Sequence, residues 1–111
     1  MTGNKVYGLL SIAAKAGKVK SGELAAAEQI QGGRARLVLI AADASDNTKG
    51  RFVSLCRGRH IAAYGYGTKE ELGHSIGKAE RSVLAVTDEG LAGAIQNKLN
   101  EAEAEFYGNG K

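Results

Sequence analysis

A chain of 111 residues, 43% hydrophobic and 24% charged, has the size and composition of one globular domain over residues 1–111, built on a single core. No stretch of the chain reaches the roughly 18 apolar residues of a membrane span, and the first residues lack the apolar run and cleavage site that mark a secretory signal, so no leader is expected. Its lone cysteine, Cys56, excludes an internal disulfide and a cysteine zinc site, so a soluble cytoplasmic protein is expected. The formal charge of +3 hides a division: residues 1–87 hold 13 Lys or Arg against 7 Asp or Glu, and residues 88–111 hold 2 against 5. A basic body of this kind suits an anionic partner, nucleic acid before a membrane surface, and also fits a solvated surface with no partner.

From Asn4 to Ala16 the apolar positions Val6, Leu9, Leu10, Ala13 and Ala16 follow helical spacing, and Gly17 is placed as the left-handed residue that ends the helix. The connection Lys18-Val19-Lys20 has room for a very short strand. Ser21 is positioned to cap a second helix through Leu24, Ala27 and Ile30, which stops at Gly32-Gly33. Leu37 to Ala42 is a continuous apolar run, the pattern of a strand covered on both faces and central in its sheet.

Ser45 or Asp46 then caps a third helix with Phe52, Val53, Leu55 and Cys56 inward and Gly58 at its end. A strand follows over His60–Tyr64, ended by Gly65 and Gly67. Thr68 and Glu71 form a capping box for a short helix through Leu72, and Ser82–Thr87 is another strand. Asp88 caps the last helix, with Leu91, Ala94, Ile95, Leu99, Ala102 and Phe106 as its inner stripe and Glu101, Glu103 and Glu105 outward. Helices alternating with buried strands predict a three-layer α/β/α sandwich around a small mixed sheet of about four strands.

The parts of a catalytic site are missing. His60 and His74 have no companion Cys or carboxylate in a triad or metal-ligand pattern, so no metal and no cofactor is expected. Gly65-Tyr66-Gly67 lacks the third glycine of a dinucleotide fingerprint. Asp43, at the end of the buried strand, stands where ligands gather in open α/β sheets, yet a role at a helix start or turn is the commoner one. Few aromatics are present, two Phe and no Trp, and both Phe fall on helical stripes, which argues against base-stacking platforms.

Anion-binding features are better represented. Lys15, Lys18 and Lys20 precede the second helix, whose first amides and dipole favour phosphate, and Gly22 lets a backbone approach closely. The loop Gly77-Lys78-Ala79-Glu80-Arg81-Ser82 offers a second set of donors on a small, flexible backbone. Each also reads as an ordinary capped turn.

Four segments in order, Leu9–Lys18, Ser21-Gly22-Glu23, Ala35–Ser45 and Thr68–Gly73, resemble the L7Ae/L30e family of RNA-binding ribosomal proteins, in particular its short stand-alone bacterial members. The resemblance covers nearly the whole chain. It implies an α/β/α fold, L30e-like, that binds kink-turns, which are sharply bent RNA elements stabilised by sheared G·A pairs. In the family a Gly-x-Asn-Glu-x-x-Lys run opens the second helix and contacts those pairs. Counting back without gaps from Leu37-Val38 puts Gly22 on the family glycine, with Leu24, Ala25 and Glu28 in place of Asn, Glu and Lys. A shift of one or two residues brings Glu23 onto the family glutamate instead, and the sequence leaves both registers open.

The resemblance further implies that Lys18, Lys20, Ser21, Gly22 and Glu23 position the RNA backbone. The loop from Asp43 through Ser45 to Asn47 contributes to the same surface, and Lys78, Arg81 and Ser82 clamp the other side, Arg81 lying close to a family arginine. Glu28, facing phosphates, would oppose binding. The partner so implied is structured RNA, a kink-turn in ribosomal RNA or a messenger leader, together with ribosomal proteins, and the protein is expected to be a non-enzymatic monomer. Two other readings stand beside it: a small-ligand or enzymatic domain with a site near Asp43, and a protein-interaction module that uses the acidic last helix.

Overall fold

The structure, a computed structural model, describes residues 4–108. Its elements run α1 (Lys5–Lys15), β1 (Val19–Ser21), α2 (Glu23–Gln31), β2 (Leu37–Ile40), α3 (Asp46–Gly58), β3 (Ala63–Gly65), α4 (Lys69–Ser75), β4 (Val83–Val86), α5 (Glu89–Glu101) and β5 (Glu105–Gly108). The sheet is mixed, with order β1-β4-β2-β3-β5. Only β2 and β3 pair parallel, and the other three pairings are antiparallel. α2 packs with α3 on one face, and α1 packs with α4 and α5 on the other. The expected α/β/α sandwich is therefore present, with five strands where about four were anticipated.

β2 sits at the centre because Leu37, Val38, Leu39 and Ile40 are apolar on both pleat faces, and all four are fully buried. Burying each such side chain stabilises the fold by about 1.5–3 kcal/mol. The flanking layers contribute Leu10 from α1, Ile30 from α2, Phe52 and Cys56 from α3, Leu72 from α4, and Ile95 and Leu99 from α5, all in the same core. Burial pushes the Cys56 thiol up to about 12, so it behaves as a core hydrophobe.

The caps anticipated at Ser45, Thr68 and Asp88 form, and Asn4 caps α1 without having been anticipated. Asn4 Oδ1 accepts the Tyr7 amide at 3.1 Å, Ser45 Oγ accepts that of Thr48 at 3.1 Å, and Asp88 Oδ2 accepts that of Leu91 at 2.9 Å. The Thr68–Glu71 capping box is complete. The short strand anticipated near Lys18–Lys20 exists as β1.

Several expectations need correction. Ser21 does not cap α2: it lies in β1, and Gly22 is the N-cap, with no side-chain hydrogen bond. Leu24 is 75% exposed, and Ala26 takes the inner position beside Ala27 and Ile30. Ala16 is exposed at the end of α1. The strand expected over His60–Tyr64 begins only at Ala63. His60 instead has φ 58°, the left-handed residue after the Arg59 C-cap, and the Ile61 amide returns to the Cys56 carbonyl at 2.9 Å.

The last helix stops at Glu101, so Glu103 and Glu105 are not on it. Ala92, rather than Ala94, fills its inner stripe. Phe106 lies on β5, half-exposed, with its ring 4.9 Å from that of Tyr64. The open edge of β3 explains the change, since strand pairing satisfies backbone groups there that a longer helix would leave bare.

Candidate nucleic-acid interface

Strand register brings four chain segments to one end of the sheet. Ser21 pairs with Leu84, Ile40 with Val83, and Ile40 with Gly65. The carboxyl ends of β1, β2 and β3 and the amino end of β4 are therefore neighbours. Backbone hydrogen bonds join them: Gly22 N–H donates to the Val83 carbonyl at 3.0 Å, Ala41 N–H to that of Ser82 at 2.8 Å, and Ala42 N–H to that of Gly67 at 2.7 Å. Ser21-Gly22-Glu23, Asp43, Ser45, Arg81 and Ser82, separated by up to 61 positions in the chain, thus share one surface.

Gly22 makes the turn from β1 into α2 with φ 95° and ψ 160°, a conformation that strains any residue with a Cβ. No side chain caps α2, so its first amides stay open at the surface and the positive end of its dipole is uncovered. Glu23, next in the chain, is held in place by α3. Arg51 Nη1 lies 3.5 Å from Glu23 Oε1, and the Thr48 hydroxyl donates to Glu23 Oε2 at 3.1 Å. Ser45, besides capping α3, donates to Thr48 Oγ1 at 3.1 Å. The carboxylate is a fixed acceptor beside open donors, a pairing that suits a group with its own N–H edge better than a bare phosphate.

Arg81 forms the facing wall. Its Nε donates to Ser21 Oγ at 3.1 Å and its Nη1 to the Glu80 carbonyl at 2.9 Å. Its backbone amide donates to the Lys69 carbonyl at 3.0 Å. The guanidinium is thereby oriented while Nη2 makes no hydrogen bond among the described residues. Asp43 Oδ1 accepts the Lys69 amide at 2.8 Å, which ties the loop after β2 to the start of α4. Its role is a helix-start one, at α4 rather than in the turn before α3. Tyr7 donates to Glu71 Oε1 at 2.8 Å in the same region, and burial, reinforced by Glu71, raises the Tyr7 hydroxyl far enough to keep it a neutral donor.

The remaining anticipated residues are less central. Lys20 is exposed on β1 opposite Ala85, and Lys78 is exposed on the loop after α4. Lys18 lies at the far end of β1, where its carbonyl accepts the Thr87 amide at 2.9 Å, so the structure does not bring it to the row of strand ends. Glu28 is exposed on α2, about 7.5 Å along the axis from Glu23. Arg51 and Thr48, which fix Glu23, are missed by sequence reasoning, because a contact across 25 and 28 positions leaves no local pattern.

A five-stranded mixed sheet between helix layers, with a helix start and strand-end loops forming one polar surface, defines an L30e-like domain. The chain belongs to the ribosomal protein L7Ae/L30e/S12e/Gadd45 family, whose sequence model matches residues 4–95. It is 38% identical over 100 residues to the RNA-binding protein YlxQ of Bacillus subtilis (strain 168), covering 90% of this chain and all of that protein. It is 31% identical over 88 residues to the YlxQ protein of Enterococcus faecium, covering 79% and 84%. Among solved structures, a protein of unknown function from Bacillus halodurans superposes with TM-score 0.86 at 31% identity, covering 88% of this chain and 99% of that one. The 15.5 kDa RNA-binding protein of Giardia lamblia gives 0.72 at 22% identity, covering 93% and 92%, a likeness of fold.

Proposed function

We propose that this protein is a non-enzymatic, monomeric RNA-binding protein of the cytoplasm that recognises kink-turn or similarly bent structured RNA, in ribosome-associated complexes or messenger leaders. The observation that carries the reading is the convergence of the open α2 start, the pinned Glu23 and the oriented Arg81 on one end of the sheet. Family membership and the names of the YlxQ relatives support it. In this reading the α2 amides and Lys20 engage phosphates, Glu23 accepts from a nucleobase N–H edge, and Arg81 with Ser82 and Lys78 closes on the unpaired nucleotides. RNA of this kind is read by shape and by splayed bases rather than along a helical groove.

The test is a protein with Lys20, Lys78 and Arg81 all changed to Ala, titrated against kink-turn RNA over a range of salt. Each phosphate contact removed lowers the slope of log K against log salt by about 0.7–0.9, and affinity falls with it. Unchanged affinity and slope would reject the assignment.

A further inference from the structure

A groove of about 520 Å³ lies between the second half of α1, the outer edge of β1 and the end of α4, where His74 and Ser75 line it, with the loop that follows. Ala14, Val19 and Ile76 line it together with Lys15, Ser21 and Lys78. No carboxylate lines it, and neither lysine forms an ion pair among the described residues. The groove opens next to the interface already described, because Ser21 lines it and also accepts the hydrogen bond from Arg81. Its volume falls in the range of small-ligand sites, about 300–1,000 Å³, large enough for a nucleotide or two and too small for a duplex.

We infer that this groove receives single-stranded RNA continuing from the structured element bound at the sheet end, a deepening that rests on the RNA-binding reading above. Lys15 and Lys78 neutralise its phosphates, and Ala14, Val19 and Ile76 accept the face of a ribose or base. The binding surface then turns a corner at Ser21 and runs along the β1 edge over Val19, while Lys20, between them, points to the opposite face of the strand.

The experiment uses kink-turn RNA with blunt ends and the same RNA carrying a short oligouridylate tail on each strand in turn, with a parallel set in which the G·A pairs are replaced by Watson–Crick pairs. One tail position strengthens binding to the wild-type protein by about fivefold or more. Lys15→Gln with Lys78→Gln removes that gain, and because Lys78 also stands at the sheet-end surface the variant is scored as tailed against blunt RNA. Lys15→Gln alone lowers the salt slope on the tailed RNA by about 0.7, one contact for a single strand, and leaves that on the blunt RNA unchanged. Lys15→Arg with Lys78→Arg retains the gain. Both lysines are exposed, so these variants fold. The inference is overturned if neither tail adds affinity, or if the gain survives in the Gln variant. Loss of preference for the G·A pairs would reject kink-turn reading alone, since the tail effect is scored within each RNA set.

Discussion

Gly73 shows how one position sets the geometry of the interface. It is buried within α4, where alanine would ordinarily favour the helix by about 1 kcal/mol. A Cβ there would instead overlap the carbonyl oxygen of Ala79, a backbone atom that cannot turn aside. The close approach draws in the loop whose Lys78 amide donates to the Gly73 carbonyl at 2.9 Å, and that loop presents Arg81. Gly73→Ala is therefore expected to destabilise the protein by about 1–3 kcal/mol in urea unfolding and to weaken RNA binding through displacement of Arg81. A net stabilisation with unchanged binding would mean that the loop is not anchored in this way. The sequence shows a glycine before a loop and nothing of this contact. Asp43 was legible in kind, as a helix-start residue, but its partner at Lys69 stands 26 positions away.

At the scale of elements, the Ser45 and Asp88 caps, the buried β2 run and the Thr68–Glu71 box were readable because each depends on residues within one turn of each other, whereas the cap expected at Ser21 gave way to β1. The C-terminal segment was not. Leu99, Ala102 and Phe106 keep helical spacing, yet the edge left by β3 recruits Glu105–Gly108 as a strand, and Arg57 Nη2 reinforces it by donating to the Tyr107 carbonyl at 3.1 Å. The aromatic pair Phe106-Tyr107 followed by Gly108 was the available signal. The two placements differ in energy. Phe106→Ala is expected to cost about 1 kcal/mol, the worth of one half-exposed aromatic pair, rather than the 3–5 kcal/mol, roughly, of a core phenylalanine. Leu39→Ala in β2 should cost about 2–5 kcal/mol. Denaturant melts of the two variants check the ranking, and equal losses would contradict the edge-strand placement.

For the whole molecule, sheet register does what no local motif announces: it sets the ends of β1, β2, β3 and β4 side by side and so assembles one surface from residues between 21 and 82. The family segments were legible as a resemblance, while the fixing of Glu23 by Thr48 and Arg51, and the bond from Arg81 to Ser21, arise only when α3 and β4 fall into place. Charge is arranged on the same scale. In the proposed reading, basic side chains at the interface would supply the salt-dependent part of binding and the fixed acceptor at Glu23 the selectivity, since a base-edge contact is worth about 1–3 kcal/mol by analogy with DNA readout. The most direct measurement is a titration of the protein against kink-turn RNA and against the same RNA with its G·A pairs replaced by Watson–Crick pairs, at two salt concentrations. Binding at least about tenfold tighter to the intact kink-turn at both salts, one such contact in free energy, is the predicted result. Equal binding to the two RNAs, weakening in parallel as salt rises, would contradict it.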